Sequence, residues 1–195
     1  MQPPHIDSPP ERLGVQSAAA RATAIGVLAL CLEWARAMAA RQHEIALVSL
    51  VVGGVALGAL GLGFTAHQLG LTRSRLAFRL LGGLVLGAVL LLPSAVRGSP
   101  LPLIPAPFAV AAVGVSVGEE IAFRGALFAA IESWLGPGAA ILGSSLVFAA
   151  GHLLSHPPQF LLAVTAMGLL LAVWRWACGD LVAPIVAHCI ADLAL

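Results

Sequence analysis

Apolar runs alternate with short polar or Pro/Gly-rich breaks along most of the chain. Most runs are close to the length of about 20 helical residues that crosses a bilayer. The pattern predicts about seven transmembrane helices, at residues 18–40, 44–65, 80–96, 108–134, 139–154, 160–177 and 181–195. The predicted fold class is therefore all-α, a polytopic membrane helix bundle.

The chain is predicted to form one integral membrane domain, residues 18–195, after a disordered tail at residues 1–17. The tail contains four prolines among polar residues, a composition typical of disorder. The first apolar run has two interpretations. It could be a signal peptide cleaved near Ala37-Met38-Ala39, but Glu33 and Arg36 interrupt the approach to that position, which favours a retained helix.

The composition supports a lipid environment for these helices. The 195 residues are 59% hydrophobic and only 10% charged, whereas soluble domains carry about 25% charged residues. The net charge of +1 gives no reason to expect a nucleic-acid partner. All ten basic residues are Arg, which we interpret as the bias of a GC-rich prokaryotic genome. We therefore expect a multi-pass protein of the bacterial inner membrane.

Ionisable residues inside predicted membrane helices are costly and suggest a functional site. The second half of the chain contains a dense set: Glu119, Glu120, Arg124, His152, His188 and Asp192. Helix rise places four of them, the two histidines with Glu119 and Asp192, within a layer of roughly 12 Å.

The Glu-Glu pair has two interpretations. Glu120 and Arg124 are i,i+4 partners in the favourable order, so they can neutralise each other. Glu119 lies about 100° around the helix and would remain unpaired. A paired structural Glu beside an unpaired one suits a site in which the second acts as a base. Alternatively, both share Arg124 in a purely structural cluster.

These residue types can hydrolyse a peptide bond with water. Glu119 would take a proton from a water that His152 helps to hold. His188 would stabilise the oxyanion, and Asp192 would orient His188. Since no serine lies on a strained nucleophile elbow, we expect direct attack by water.

Zinc is the main chemical alternative, because Glu, His and Asp are all zinc ligands. His152 and His156 have the spacing of a zinc-peptidase helix, but Leu153 stands where such a helix carries its catalytic Glu. We therefore expect neither a metal nor another cofactor.

Three short motifs resemble the signature of the CPBP family, the CaaX-protease and bacteriocin-processing membrane enzymes. They read Glu119-Glu120-Ile-Ala-Phe-Arg124, Phe148-Ala-Ala-Gly-His152 and His188-Cys-Ile-Ala-Asp192. The resemblance implies a glutamic intramembrane endopeptidase with its catalytic core at about residues 105–195 and Glu120, Arg124 and Phe148 supporting the site. It implies a membrane-associated protein or peptide as substrate.

One position departs from the prenyl-protein members of that family, which carry Asn where this chain has Asp192. An amide can donate to an oxyanion, whereas an ionised carboxylate cannot. Asp192 is therefore either protonated or serves only to orient His188.

Other functions stay open at this level. A non-enzymatic protein of the same fold, such as an immunity factor or an assembly or transport partner, would not need the full set Glu119, His152 and His188. A proton or ion carrier would need a second set of intramembrane carboxylates, which the sequence lacks.

The distribution of arginines predicts the orientation in the membrane. The side of the Gly136 and Gly179 turns receives six arginines: Arg12, Arg21, Arg73, Arg75, Arg79 and Arg175. The opposite side receives three, Arg36, Arg41 and Arg97, and Arg124 is left out of the count as part of the site. The first side should be cytoplasmic, which conflicts with the cytosolic access to the site expected by analogy with the CaaX enzymes.

We predict that a C-terminal alkaline phosphatase fusion is active and that a C-terminal GFP fusion is dark, because the last helix ends on the side with fewer arginines. Both fusions are measured in intact bacteria at matched expression. A fluorescent GFP fusion would reverse the orientation without affecting the assignment of the site.

Overall fold

A computed structural model describes residues 11–72, 75–96 and 103–194, without the side chains of residues 11–16. Within these ranges the regular secondary structure is entirely helical. The elements are α1 (Glu11–Ala40), α2 (Ala46–Ala59), α3 (Ala66–Leu69), α4 (Leu76–Val96), α5 (Ala106–Glu120), a π-helical segment (Ile121–Leu127), α6 (Phe128–Leu135), α7 (Pro137–Gly151), a 3₁₀ turn (His152–Leu154), α8 (Pro158–Cys178) and α9 (Val182–Ala194).

The membrane spans agree with the sequence pattern. In the described ranges, five helical stretches are long and apolar enough to cross a bilayer. They are residues Ser17–Ala40, Leu76–Val96, Ala106–Leu135, Pro137–Leu154 and Pro158–Cys178. Two shorter apolar helices, α2 and α9, account for the remaining predicted runs. The prediction of an all-α bundle with about seven membrane helices is confirmed.

In this bundle large apolar side chains are exposed and several charged side chains are buried, the opposite of the usual arrangement in a soluble protein. Leu162 is 79% exposed and Val55 is 71% exposed, whereas the guanidinium of Arg124 is fully buried. Exposed leucine and valine side chains along long helices need lipid around them, and the few buried charges need partners inside. The protein is an integral membrane protein.

Several helix boundaries differ from those predicted. Helix α1 already begins at Glu11, so the last residues of the proposed tail, 1–17, are helical, and residues 1–10 lie outside the described part. The helix formed by the second apolar run ends at Ala59, whereas the sequence predicted that it would extend to residue 65. Turns follow it, and Gly63 adopts a φ of 84° that favours glycine.

The fourth run is not a uniform α-helix. The predicted helix over residues 108–134 is continuous from Ala106 to Leu135, but its middle, Ile121–Leu127, is π-helical. A π-helical turn carries one more residue than an α-helical turn and therefore shifts the faces that follow it. It begins directly after Glu120 and contains Arg124, so it lies inside the predicted site.

Helices α2 and α5 approach each other closely at glycines. A Cβ atom added to Gly118 would lie 2.1 Å from the carbonyl oxygen of Gly54. A Cβ atom added to Gly54 would lie 2.9 Å from the carbonyl oxygen of Gly114. Small residues let membrane helices pack backbone to backbone, and this contact positions the helix end that carries Glu119.

Three arginines on the predicted cytoplasmic side line one cavity of about 590 Å³: Arg21, Arg79 and Arg175. Gly179, at the turn that defines that side, lines the same cavity. This placement agrees with the grouping used for the orientation, although Arg73 and Arg97 lie outside the described residues. Arg36, counted on the opposite side, is instead part of the site described below.

We predict that Gly118→Ala destabilises the bundle by about 1–3 kcal/mol, because the new methyl group forces α2 away from α5. Gly114→Ala is the matched control on the same helix, since its Cβ would have nothing within 4 Å. Thermal unfolding in detergent measures both. Gly114→Ala should be neutral or gain up to about 1 kcal/mol from helix propensity, and equal losses in the two variants would contradict the close contact.

Candidate active site

The centre of the site is a buried network around Glu120. Arg124 Nη1 donates a hydrogen bond to Glu120 Oε1 at 2.8 Å, and both side chains are fully buried. The same Oε1 lies 2.8 Å from His188 Nδ1. The predicted Glu120–Arg124 pair is therefore present, and it also connects α5 to α9.

Aromatic contacts fix the cation of this network. The guanidinium of Arg124 lies 3.9 Å from the ring centroid of Phe148. The same ring meets the imidazole of His188 edge-on, with centroids 5.7 Å apart. Phe148 of α7 therefore packs against the network, which is the supporting place that the family resemblance implied for it.

Glu119 is not the unpaired carboxylate that the sequence suggested. Arg36 of α1 donates from Nη2 to Glu119 Oε1 at 2.8 Å, and the same Nη2 also binds Glu33. Glu119 Oε2 lies 3.6 Å from His188 Nε2. The expectation of an unpaired Glu119 is wrong because a partner arrives from a helix 83 residues away.

His152 lies at the end of α7, in the 3₁₀ turn. Its Nδ1 is 2.9 Å from the carbonyl oxygen of Phe148, and the two rings are 4.5 Å apart. With Nδ1 donating to this carbonyl, Nε2 is the nitrogen available to a ligand. No hydrogen bond among the described residues joins His152 directly to Glu119, so a water held by both would lie between them.

Asp192 is fixed by a residue that the sequence did not single out. Ser116 of α5 donates a hydrogen bond to Asp192 Oδ2 at 2.7 Å. Asp192 Oδ1 lies 3.6 Å from His188 Nε2, beyond hydrogen-bond length. The hydrogen bond that orients His188 comes from Glu120, where Asp192 was expected to supply it.

Arg175 of α8, a structural partner of the π-helical segment, was not predicted from the sequence as part of this region. Arg175 of α8 donates from Nε to the backbone carbonyl of Arg124 at 3.2 Å and from Nη2 to the carbonyl of Gln68 at 2.7 Å. A single buried side chain therefore ties this segment to α8 and α3. A backbone acceptor leaves no signal in the sequence.

A family comparison matches this half of the molecule. Residues 100–194, which include every candidate side chain outside α1, match a family model described as type II CAAX prenyl endopeptidase Rce1-like. This match is consistent with the CPBP family, which the three motifs resemble. No curated protein and no solved structure matches the chain. At the family level the match supports a CAAX-type intramembrane protease, a peptide hydrolase acting on membrane-associated protein.

A large cavity beside the CPBP motifs separates α4 from α8. The two helices touch where Trp174 packs on Gly82, and farther along they enclose a volume of about 1010 Å³. His152, His188 and Asp192 line one side, and the rest of the wall is mainly apolar. Glu119, 2% exposed, lies behind His188 and does not line the cavity.

The CPBP motifs do not assemble a metal site in the part of the chain that the structure describes. No group of three or more His, Cys, Asp or Glu side chains there is arranged to hold a metal ion. Glu119 instead meets a guanidinium, and His152 uses Nδ1 on a backbone carbonyl.

We predict that Arg124→Ala lowers the free energy of unfolding by about 3–5 kcal/mol, because it leaves Glu120 buried without its cation. Arg21→Ala is the control, since Arg21 is exposed and, among the described residues, contacts the carbonyl of Gly63 and the ring of Phe64. Thermal unfolding in detergent should show a much smaller loss for the control. Similar stabilities for the two variants would argue against a buried pair.

Proposed function

We propose that the chain is an intramembrane endopeptidase that hydrolyses a peptide bond of a membrane-associated protein or peptide with water activated by Glu119 and His152. The observation that carries this proposal is the position of Glu119, 3.6 Å from His188 Nε2 and directly behind the wall of the large cavity. A base, an oxyanion donor and a space for substrate thus lie side by side.

The reaction balances with these groups alone. The Glu119 carboxylate takes a proton from water, and the resulting hydroxide attacks the carbonyl carbon of the peptide. The oxyanion receives a hydrogen bond from His188 Nε2–H, while Nδ1–H donates to Glu120. The proton held by Glu119 then passes to the leaving nitrogen as the C–N bond breaks. His152 Nε2 helps to hold the water.

Ser144 and Ser145 are poor nucleophiles. Ser144 and Ser145 use their hydroxyl groups as donors to the carbonyl oxygens of Ala140 and Ile141, each at 2.7 Å. Neither has a base beside it, as an activated serine requires. This arrangement supports attack by water without an acyl-enzyme.

Asp192 acts on the charge environment of His188 and does not donate to the oxyanion. Its Oδ2 accepts from Ser116 and its Oδ1 faces His188 Nε2. The family's Asn would instead offer a donor, so the chain stabilises the oxyanion mainly through His188.

The extent of the catalytic core, the membrane domain and the location are proposed from the sequence. The catalytic core extends over about residues 105–195, inside a single membrane domain that begins near residue 18, and the membrane is the bacterial inner membrane. Helix α1 packs against α2, α6 and α7, which favours a retained first helix over a cleaved signal peptide. The substrate is a protein or peptide, and the site needs neither a cofactor nor a nucleic acid.

We predict that Glu119→Gln and His152→Ala each reduce cleavage by roughly 10²–10⁴-fold, the contribution typical of a general base, while the protein still folds. Glu132→Gln and His67→Ala are matched controls away from the site and should keep normal turnover. The assay follows a farnesylated fluorogenic CaaX peptide, and the same peptide without the lipid, with the full-length protein purified in detergent.

Two outcomes would overturn this proposal. Near-normal turnover in Glu119→Gln would remove the base, and a folded wild-type protein that cleaves neither peptide would favour a non-enzymatic member of the fold. The activity should also persist in EDTA and phenanthroline. Activity lost in chelator and restored by zinc would replace the water mechanism with a metal-dependent one.

A further inference from the structure

Helix α1 lies outside the segment that matches the family model, yet it reaches the base. Arg36 Nη2 binds both Glu119 of α5 and Glu33 of its own helix. Arg124 is already paired with Glu120. Arg36 is therefore the one guanidinium among the described residues that binds the Glu119 carboxylate.

The surrounding helices make room for these two charged side chains. A Cβ atom added to Gly53 of α2 would lie 2.7 Å from Cδ of Arg36. A Cβ atom added to Gly151, the residue before His152, would lie 3.1 Å from Cγ of Glu33. Glu33 is 1% exposed. The pair is thus enclosed between α2 and the turn that carries His152.

Two neighbours of this pair bind the backbone of the same turn. Trp34 Nε1 donates to the carbonyl of Ala150 at 3.0 Å, and Arg41 Nη2 donates to the carbonyl of Leu154 at 2.8 Å. The last carbonyls of a helix have no partner within it. Helix α1 and the residue directly after it therefore supply donors to the backbone on both sides of His152.

We propose that Arg36 is a positioning residue for Glu119, and that Glu33 acts through Arg36 by holding its guanidinium. The bond from Nη2 fixes the Glu119 carboxylate relative to His188 and compensates its buried charge. Because Arg36 has no place in the cavity lining, it acts on the reaction and not on substrate binding. This inference rests on the proposed role of Glu119 as the base.

The test separates turnover from binding. Arg36→Gln should lower kcat by about 100-fold, the loss typical of a base displaced by about 1 Å, and should leave KM within about threefold. Arg36→Lys should recover to within about tenfold of wild-type kcat, because the ammonium group keeps the charge but not the fork. Rates come from the farnesylated CaaX peptide and the full-length protein.

Arg21→Gln is the matched control, because Arg21 lies on the same helix but binds the carbonyl of Gly63 at the far end. It should keep kcat within about twofold of wild type. Thermal unfolding of each variant is measured in parallel. The inference is overturned if Arg21→Gln loses as much kcat as Arg36→Gln does. It is also overturned if Arg36→Gln changes KM and leaves kcat at the wild-type value.

Glu33→Gln provides a second route if Arg36→Gln fails to fold, because the substitution keeps the shape of the side chain. Glu33→Gln should lower kcat by about tenfold. The double variant Glu33→Gln/Arg36→Lys should lose no more kcat than the more severe of its two single variants. Fully additive losses, or wild-type kcat in Glu33→Gln, would contradict action through Arg36.

The Glu119 and Arg36 variants together distinguish a failure of the positioning role of Arg36 from a failure of the proposed function. If Glu119→Gln is inactive while Arg36→Gln keeps wild-type kcat, this inference fails and the proposed function stands. If Glu119→Gln is active or wild type cleaves neither peptide, both fail together.

Discussion

Buried charge has to be compensated inside this bundle, because lipid offers neither water nor counter-ions, and that constraint organises the active centre. The fully buried pair of Glu120 and Arg124 meets it within one helix. The same Glu120 oxygen also meets Nδ1 of His188, and the face of Phe148 covers the guanidinium. A network arranged to neutralise charge thus also fixes the imidazole that faces the cavity.

Local patterns in the sequence were enough for the helices and for contacts within one helix. Glycines at 136 and 179 end their helices with positive φ angles, as expected of turn residues. The i,i+4 spacing of Glu120 and Arg124 predicted their bond. The same logic failed where a partner is distant in the chain. Arg36 looked like an ordinary charged residue near a helix end, and only tertiary packing brings it to Glu119.

The π-helical segment shows a different limit. The sequence of residues Ile121–Leu127 looks like a normal continuation of α5, since apolar periodicity does not distinguish an α-helical from a π-helical turn. Part of the stabilisation of this segment comes from another helix, through the hydrogen bond from Arg175 to the carbonyl of Arg124. Sequence reasoning assigned Asp192 to His188 for a related reason: i,i+4 spacing made Asp192 the visible neighbour, while Glu120 reached the imidazole from another helix.

The Glu119 carboxylate is held by side chains from helices far apart in the chain. Arg36 comes from the first described helix and His188 from the last, and both approach the one carboxylate of Glu119. Helices enter the membrane in the order in which the ribosome makes them, so the centre cannot assemble until α9 has been synthesised and has packed beside α5. A nascent chain therefore passes through insertion with this network incomplete, and the proposed hydrolytic activity can arise only once α9 has been synthesised.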